Sequence, residues 1–515
     1  MLAYFQQFLG AINSVSAVLI ISSFIFLLAS LLFYQKQQKL SVWFLFFCAL
    51  LLGLGFTTID AYIHLWDEQY HALVAKNMID TPLTPRLYSE APLAYNYEIW
   101  VANHVWLHKP PLSLWQMALS IKLFGANYLA VRLPSVLMHA MLVFVIFRMG
   151  RILYTEKVGY IAAIVFVFLN YPLELAAGLH TSEHIDVAFM FYITLSLWSW
   201  LEYNETKRQK WLVLMAVFSG AAILTKWLVG LLVYAGAGII QVVFKKHRSS
   251  MTSWSSFFLA LSITSLLVLP WHIYAYFSFP VEYTHEMAYN SAHLYSAIEQ
   301  HEGGVLYYWD NLNVLYGNGD LIQWIVLFAM VSVPFFAKHR IHALFLMVVL
   351  LTPYLFFTVA ATKMMSFCVI VSPLIIVVVT GFFSGLLSKL PKLKNTPYIR
   401  VLEGVFVIMI AIFLLRPKEA MMNHKLDTKE SLLLKETYQD SQNAIQSFPF
   451  DLDKKYALSH ANKLPEEKIL WIFYQDNVIA YDHPFTLSEQ QQLNNLGYTL
   501  KQIQWHGNKV VLLDY

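Results

Sequence analysis

The chain carries little charge. Of its 515 residues only 13% are Asp, Glu, Lys or Arg, against 58% hydrophobic residues, and the net charge is +3. Soluble domains carry about a quarter of their residues as charges, so this balance excludes an ordinary soluble protein and places the chain in the membrane class. The near-neutral charge also argues against nucleic acid as a partner, since phosphate backbones select strongly basic surfaces. Cysteine is nearly absent. Cys48 and Cys368 both fall inside apolar stretches, where a thiol acts as a small core residue, and no disulfide framework is implied. A glycine-rich nucleotide fingerprint is missing too. Gly53 and Gly55, like Gly236 and Gly238, sit within hydrophobic runs and read as helix-packing contacts. No internal repeat, low-complexity tract or cleavable leader pattern stands out; the first apolar run reads as a retained span. From Trp271 to Ala337 there is no Lys or Arg at all.

What the chain has instead is long apolar runs. A span needs about 20 mostly apolar residues. Such runs fall near 14–34, 40–58, 128–147, 158–173, 184–202, 211–225, 227–244, 254–273, 321–337, 341–361, 364–387 and 398–415, roughly twelve in all. Lys and Arg cluster on alternate connections, at Lys36/Lys39, Arg148/Arg151/Lys157, Lys207/Arg208/Lys210, Lys245/Lys246/Arg248, Lys338/Arg340 and Lys389/Lys392/Lys394/Arg400. By the positive-inside rule these sides are cytoplasmic. Both termini and the loops 59–127 and 274–320 then lie outside. The expected fold is an α-helical polytopic membrane protein with about twelve transmembrane helices and a small extracytoplasmic C-terminal α/β domain. Residues 1–58 supply N-terminal spans, 59–127 a first outer loop, 128–415 a transmembrane core and 416–515 the outer domain. Within that last segment, Lys468–Tyr481 is strand-like, Leu487–Leu496 helical with Ser488 as N-cap candidate, and Lys509–Tyr515 a terminal strand.

Seven cations run against this topology: Lys76, Arg86, Lys109, Lys122, Arg132, Lys226 and Lys363. Cations there ask for a partner, and a lipid phosphate would supply one. Two strings in the first outer loop stand out. Asp67-Glu68 opens a helix-like stretch running through Met78. The helix dipole favours a carboxylate at that end, and a carboxylate there can also take a hydroxyl proton as general base. His108-Lys109-Pro110-Pro111-Leu112 fixes the backbone beside Lys109 through two prolines, and lysine serves phosphate as a compact point charge. Tyr283, Tyr289, Tyr295, Tyr307, Tyr308 and Trp309 crowd the second outer loop, where aromatics stack on sugars or anchor at the interface. His180-Thr-Ser-Glu183-His184 matches the H-x-x-E-H zinc pattern, but no third ligand is evident.

The order WDEQYHALVAKNM, TPRLY, HKPPL, NYLAVRLPSVL, then LTKW at 224–227, PWHIYAY at 270–276, EGGVLYYW at 302–309 and ATKMMSF at 361–367 resembles the polyprenyl-phosphate-sugar glycosyltransferases of the GT-C fold. It is most similar to the ArnT-like aminoarabinose transferases and the bacterial relatives of protein O-mannosyltransferases (glycosyltransferase family 39). The likeness runs collinearly through residues 40–375. It implies an enzyme that passes a sugar from a polyprenyl phosphate to a glycolipid, glycan or protein acceptor. Such enzymes sit among membrane lipids in the bacterial inner membrane, with the active site facing the periplasm. By the same resemblance, Asp67 is the base or acceptor-orienting group with Glu68 beside it. Lys109 and Lys363 fall on the family's lysines and are expected to hold the donor phosphate. Asp186 falls on a further family aspartate. His108, His285 and Glu286 complete the active-site candidates; a divalent metal ion is kept open as cofactor, with its ligands unassigned. The chain departs from the pattern in three places. His108 stands where ArnT-like enzymes place Glu, Phe367 where they place Tyr, and the later loop lacks their Arg. The alternative reading is a polysaccharide flippase or polymerase-type membrane protein without transferase activity.

Overall fold

A computed structural model of the chain describes residues 12–59, 63, 67–88, 91–98, 100, 103–180, 184–243, 253–317, 319–389, 397–415, 470–474, 477–481, 485–506 and 509–514. The chain forms two compact units. One comprises Met1–Phe56, Ser135–Ala177 and His184–Pro417; the other comprises Thr57–Pro134, Gly178–Glu183 and Lys418–Tyr515.

The first unit is helical. The multi-pass helical character expected from composition is borne out, but the count of about twelve spans is corrected. Among the described residues seven helices are long and apolar enough to cross a membrane: Ser14–Phe33, Gln38–Thr57, Tyr128–Leu153, His184–Thr206, Trp254–Ser278, Arg340–Val359 and Met365–Leu387. The number rises to nine if each of two bent pairs is one span. The reasons are local. The run near 158–173 breaks into Glu156–Val167 and Asn170–Ala176, bent by 58°, and the run near 321–337 follows a 98° bend after Tyr307–Tyr316. The run near 227–244 starts with a 3-10 turn and leaves a shorter apolar helix, Leu228–Val243. Helix Gln209–Lys226 spends its ends on Gln209, Lys210 and Lys226, so the apolar stretch between them is shorter than a span needs. Helix Pro397–Leu414, with side chains described only in part, is outside the seven.

Some polar side chains inside this unit are answered by one another, as a medium without water favours. Ser30 Oγ lies 2.7 Å from the Tyr160 hydroxyl and 3.1 Å from Ser41 Oγ. Tyr34 stacks on Tyr160 at 3.9 Å. Helices Tyr128–Leu153 and Glu156–Val167 meet at two glycines: a Cβ on Gly150 would come within 2.4 Å of the Gly159 Cα, so only glycine allows this approach. His184–Thr206 is the most enclosed of the spans and packs along Gln209–Lys226.

The second unit is built on two short helices, Asp67–Asn77 and Leu112–Phe124, packed against each other. The chain between them doubles back. Arg86 and Val105 form an antiparallel bridge, Leu87 N–H donates to His104 O at 3.0 Å, and Trp106 N–H donates to Pro85 O at 3.0 Å. Asn77 Nδ2 closes the turn by donating to the carbonyls of Arg86 and Leu87. In the same unit, the described part of the C-terminal segment holds helix Leu487–Asn495 and strands β1 (Leu470–Tyr474), β2 (Asn477–Tyr481), β3 (Thr499–His506) and β4 (Lys509–Asp514). They pair antiparallel in the order β2-β1-β3-β4. Within the strand-like stretch Lys468–Tyr481, the described residues form two paired strands, β1 and β2. The N-cap of the helix is Thr486, in a capping box with Glu489, and not Ser488: its hydroxyl accepts from Glu489 N–H while the Glu489 carboxylate accepts from Thr486 N–H. Gln492 Nε2 donates to Pro92 O at 3.0 Å. Residues 416–469 of the expected outer domain lie outside the described residues.

Candidate functional site

Asp67 and Glu68 form the first turn of helix Asp67–Asn77, and both are buried. Charge at this end is favoured by the helix dipole, with Lys76 in the last turn completing the pattern. Glu68 is held by Arg132, which comes from NYLAVRLPSVL. Arg132 Nε donates to Glu68 Oε1 at 2.7 Å and Nη2 to Oε2 at 3.1 Å, while Nη1 donates to Thr57 O at 3.2 Å. This is a two-pronged pair, its arginine wholly enclosed. The guanidinium also lies over the Tyr128 ring at 5.7 Å. Gly178, at φ +70, covers it: a Cβ there would meet Arg132 Nε at 2.4 Å and Glu68 Oε1 at 2.9 Å. The sequence flagged Arg132 as a misplaced cation; the spacing of 64 residues between the partners gave no sign of the pairing.

The Lys-Pro-Pro string reaches the same neighbourhood through aromatic rings. His71 is one helical turn after Asp67 and shares its face. Its ring sits 5.6 Å from Trp106, and Trp106 sits 5.6 Å from His108. His108 lies flat on Trp100, centroids 4.4 Å apart and planes 7° apart, and Trp100 contacts Tyr70 at 5.0 Å. His108 is thus buried in the middle of an aromatic cluster. Trp100 is a partner the sequence did not single out. Lys109 is half-buried, and Pro111 caps helix Leu112–Phe124, where a residue without N–H leaves no donor unanswered. Pairing of TPRLY with residues 104–106 fixes the strand that delivers this string, which accounts for those two motifs occurring together.

The other four candidates lie in the helical unit. Asp186, in the first turn of His184–Thr206, takes Lys226: Nζ to Oδ1 is 2.5 Å, and both groups are mostly buried. Lys226 Nζ also stands 5.3 Å from the Phe367 ring, so the LTKW and ATKMMSF motifs meet here. Trp227 has φ 67 and ψ −171, and its ring is 6.4 Å from His272 of PWHIYAY. Lys363 is fully engaged. Its three ammonium donors go to the carbonyls of Phe357 (3.0 Å), Thr358 (2.8 Å) and Ala360, at the C-terminal end of helix Arg340–Val359. Burial holds its ammonium below the ordinary lysine pKa. Next to it, Thr362 Oγ1 lies 2.9 Å from His293 Nδ1 and accepts from Ile298 N–H. Lys363 N–H donates to His301 O. Glu286 is buried on helix Pro280–Ala292, and His285 stacks against Tyr289 at 6.3 Å. His180 precedes helix His184–Thr206, so it shares no helical face with His184; Glu183 lies outside the described residues. Among the described residues, no three His, Cys, Asp or Glu side chains gather as a metal centre needs.

Residues 108–274 match the family model described as dolichyl-phosphate-mannose-protein mannosyltransferase. That segment opens on His108-Lys109 and takes in Asp186, Lys226 and His272, leaving Asp67 and Lys363 outside. An uncharacterised protein of Aquifex aeolicus (strain VF5) is 31% identical over 163 residues, covering 31% of this chain and 29% of that protein. The chain therefore spans under a third of the length of the curated relative it matches. ArnT from Cupriavidus metallidurans, solved bound to undecaprenyl phosphate, superposes with a TM-score of 0.54 at 14% identity, over 81% of this chain and 70% of that one. The archaeal oligosaccharyltransferase AglB from Archaeoglobus fulgidus, solved with an inhibitory peptide and a dolichol-phosphate, gives 0.47 at 12% identity, over 82% and 60%. The fold is thus GT-C-like. The resemblance read from the sequence, to GT-C and family 39 proteins, is borne out by the family match and the fold.

Proposed function

We propose that the chain is an integral membrane glycosyltransferase that takes a sugar from a polyprenyl-phosphate donor and passes it to a cell-envelope acceptor on the extracytoplasmic side. One observation carries this reading. A buried carboxylate pair at a helix N-terminus and a proline-fixed lysine belong to one compact unit, joined through His71, Trp106 and His108. The family match over residues 108–274 supports the donor class.

Asp67 takes the proton of the acceptor hydroxyl as its oxygen attacks the anomeric carbon. The bond from that carbon to the phosphate oxygen breaks, the polyprenyl phosphate leaves, and the anomeric centre inverts. Lys109 steadies the charge growing on the departing phosphate. Glu68, committed to Arg132, holds the helix turn that aims Asp67 and takes no proton. Lys363 closes a helix end, and the phosphate role is left to Lys109. The C-terminal strands and helix form a small α/β module outside the membrane.

The test is transfer by the purified chain in lipid. With a polyprenyl-phosphate-linked sugar and an envelope extract as acceptor, free polyprenyl phosphate should accumulate in step with labelled acceptor. Transbilayer movement of the intact lipid-linked sugar, without its cleavage, would instead favour a flippase.

A further inference from the structure

The apolar surface of one spanning helix continues past the helix's end. On Arg340–Val359, Leu351, Leu355 and Val359 recur every fourth residue and so share one face. All three are exposed, from 43% at Leu351 to 85% at Val359. On a helix long and apolar enough to cross a membrane, such a stripe is the surface that meets lipid. The segment 293–306 is tied to this end. Ala361 N–H donates to Leu294 O, Thr362 N–H to His293 O and Lys363 N–H to His301 O, at 3.0–3.1 Å. The Thr362 hydroxyl donates to Ser296 O at 3.1 Å and accepts from Ile298 N–H at 3.2 Å. Gly303 packs so closely that a Cβ on it would come within 2.9 Å of Lys363 Cγ. Two turns of the segment carry apolar residues into the open. Leu294 and Tyr295 follow helix Pro280–Ala292, and Val305 and Leu306 form the corner that Tyr307 N–H closes on Gly304 O at 3.1 Å. Tyr295 and Val305 are each 76% exposed, and Leu294 and Leu306 are exposed beside them.

Turn corners that face water favour Gly, Asn, Asp, Ser and Pro. Here Val305-Leu306 takes the corner directly after Gly303-Gly304. Large apolar residues scattered singly need no explanation, whereas grouped ones mark an interaction surface. We infer that the segment 293–306 dips into the leaflet at the end of Arg340–Val359. Leu294, Val305 and Leu306 lie among the acyl chains, and Tyr295 sits at headgroup level, where its ring is favoured. The occupant is membrane lipid because Leu294 is bonded two residues beyond Val359, where the lipid-facing stripe ends. Apolar area alone drives the insertion: from Trp271 to Ala337 there is no Lys or Arg to bind anionic headgroups. The bonds to residues 361–363 hold the segment at its depth. It is an interfacial foot and not a loop in water, and this holds whether or not the chain transfers sugar.

Nitroxide labels on Leu294→Cys, Val305→Cys and Leu306→Cys test this in phosphatidylcholine vesicles. These side chains are exposed, so the substitutions leave the fold in place. The native Cys48 and Cys368 are buried, and unsubstituted protein taken through the same labelling sets the background. Val359→Cys serves as the lipid reference. Arg208→Cys, in the exposed connection before helix Gln209–Lys226, serves as the water reference. Power-saturation EPR should show each of the three labels meeting oxygen several-fold more often than a water-soluble nickel chelate, as at Val359. Adding phosphatidylglycerol or salt should leave these ratios unchanged. Labels that meet the chelate as freely as Arg208→Cys overturn the inference. Shielding from both oxygen and chelate overturns it too, because a second copy or another part of this chain would then cover the patch. Insertion only with phosphatidylglycerol present would make headgroup charge the cause and overturn it as well.

Discussion

Two buried carboxylates meet their cations differently, one in each unit. Glu68 faces a guanidinium fork, with two bonds of 2.7 and 3.1 Å and an arginine of no exposure. Asp186 faces a single ammonium at 2.5 Å, and that lysine keeps 12% of its side chain exposed. A fork fixes direction as well as charge, whereas an ammonium on a flexible stem fixes charge alone. The Glu68–Arg132 pair therefore sets an orientation, that of the helix turn carrying Asp67. The Asp186–Lys226 pair balances charge beside Trp227 and Phe367, where geometry is set by a strained turn instead; the fork of the helical unit lies elsewhere, at Arg148 and the buried Glu202.

This contrast can be broken most severely at Arg132. Arg132→Met leaves Glu68 buried without its partner and should lose about 3–5 kcal/mol of stability, read as unfolding in detergent. Arg132→Lys restores the charge but not the fork and should recover only part of that loss; full recovery would mean direction is irrelevant at this pair. Gly178→Ala acts on the same pair from outside. Its Cβ would press on Arg132 Nε at 2.4 Å from a left-handed backbone, and about 2–3 kcal/mol should be lost through overpacking and strain together. Asp186→Asn keeps a hydrogen-bond acceptor for a lysine that still touches solvent, so about 1–2 kcal/mol is expected. A loss as large as that of Arg132→Met would erase the distinction between the two pairs.

The smallest expected effect is at Lys363, with a sign fixed by its environment. Its folded pKa is lowered by burial, whereas the unfolded lysine titrates near about 10.4. Between those two values the unfolded chain binds more protons than the folded one, so stability rises with pH across that window. Below it, the desolvation cost of the charged ammonium is present in full. Lys363→Met should abolish the rise and shift stability at neutral pH by only about 1 kcal/mol, because lost carbonyl bonds and relieved desolvation oppose each other. Unfolding curves from neutral pH to pH 10 check both statements.

Much of this was legible in the residues. Apolar runs announced the helices, since burial in lipid leaves a strong compositional trace. Asp67-Glu68 at a helix start and the proline-fixed Lys109 were visible because capping and proline act locally. What was hidden came from long-range pairing. Nothing in the spacing linked Glu68 to Arg132 or Asp186 to Lys226. Hydropathy also counts a run as one span whether or not it bends or falls short: the run near 158–173 breaks by 58° after Val167, and the run near 227–244 leaves only a shorter apolar helix. Lys363 was read as a phosphate ligand from the resemblance of ATKMMSF; its three contacts with backbone carbonyls had no trace in the sequence.

The central claim is that Asp67 acts on the acceptor while Glu68 beside it only holds the turn. One measurement addresses it: the single-turnover transfer rate of Asp67→Asn, taken on protein whose unfolding temperature matches wild type. A loss on the order of 10²–10⁴-fold is expected, the range for a removed general base, with donor binding retained. Transfer within a few-fold of wild type would contradict it.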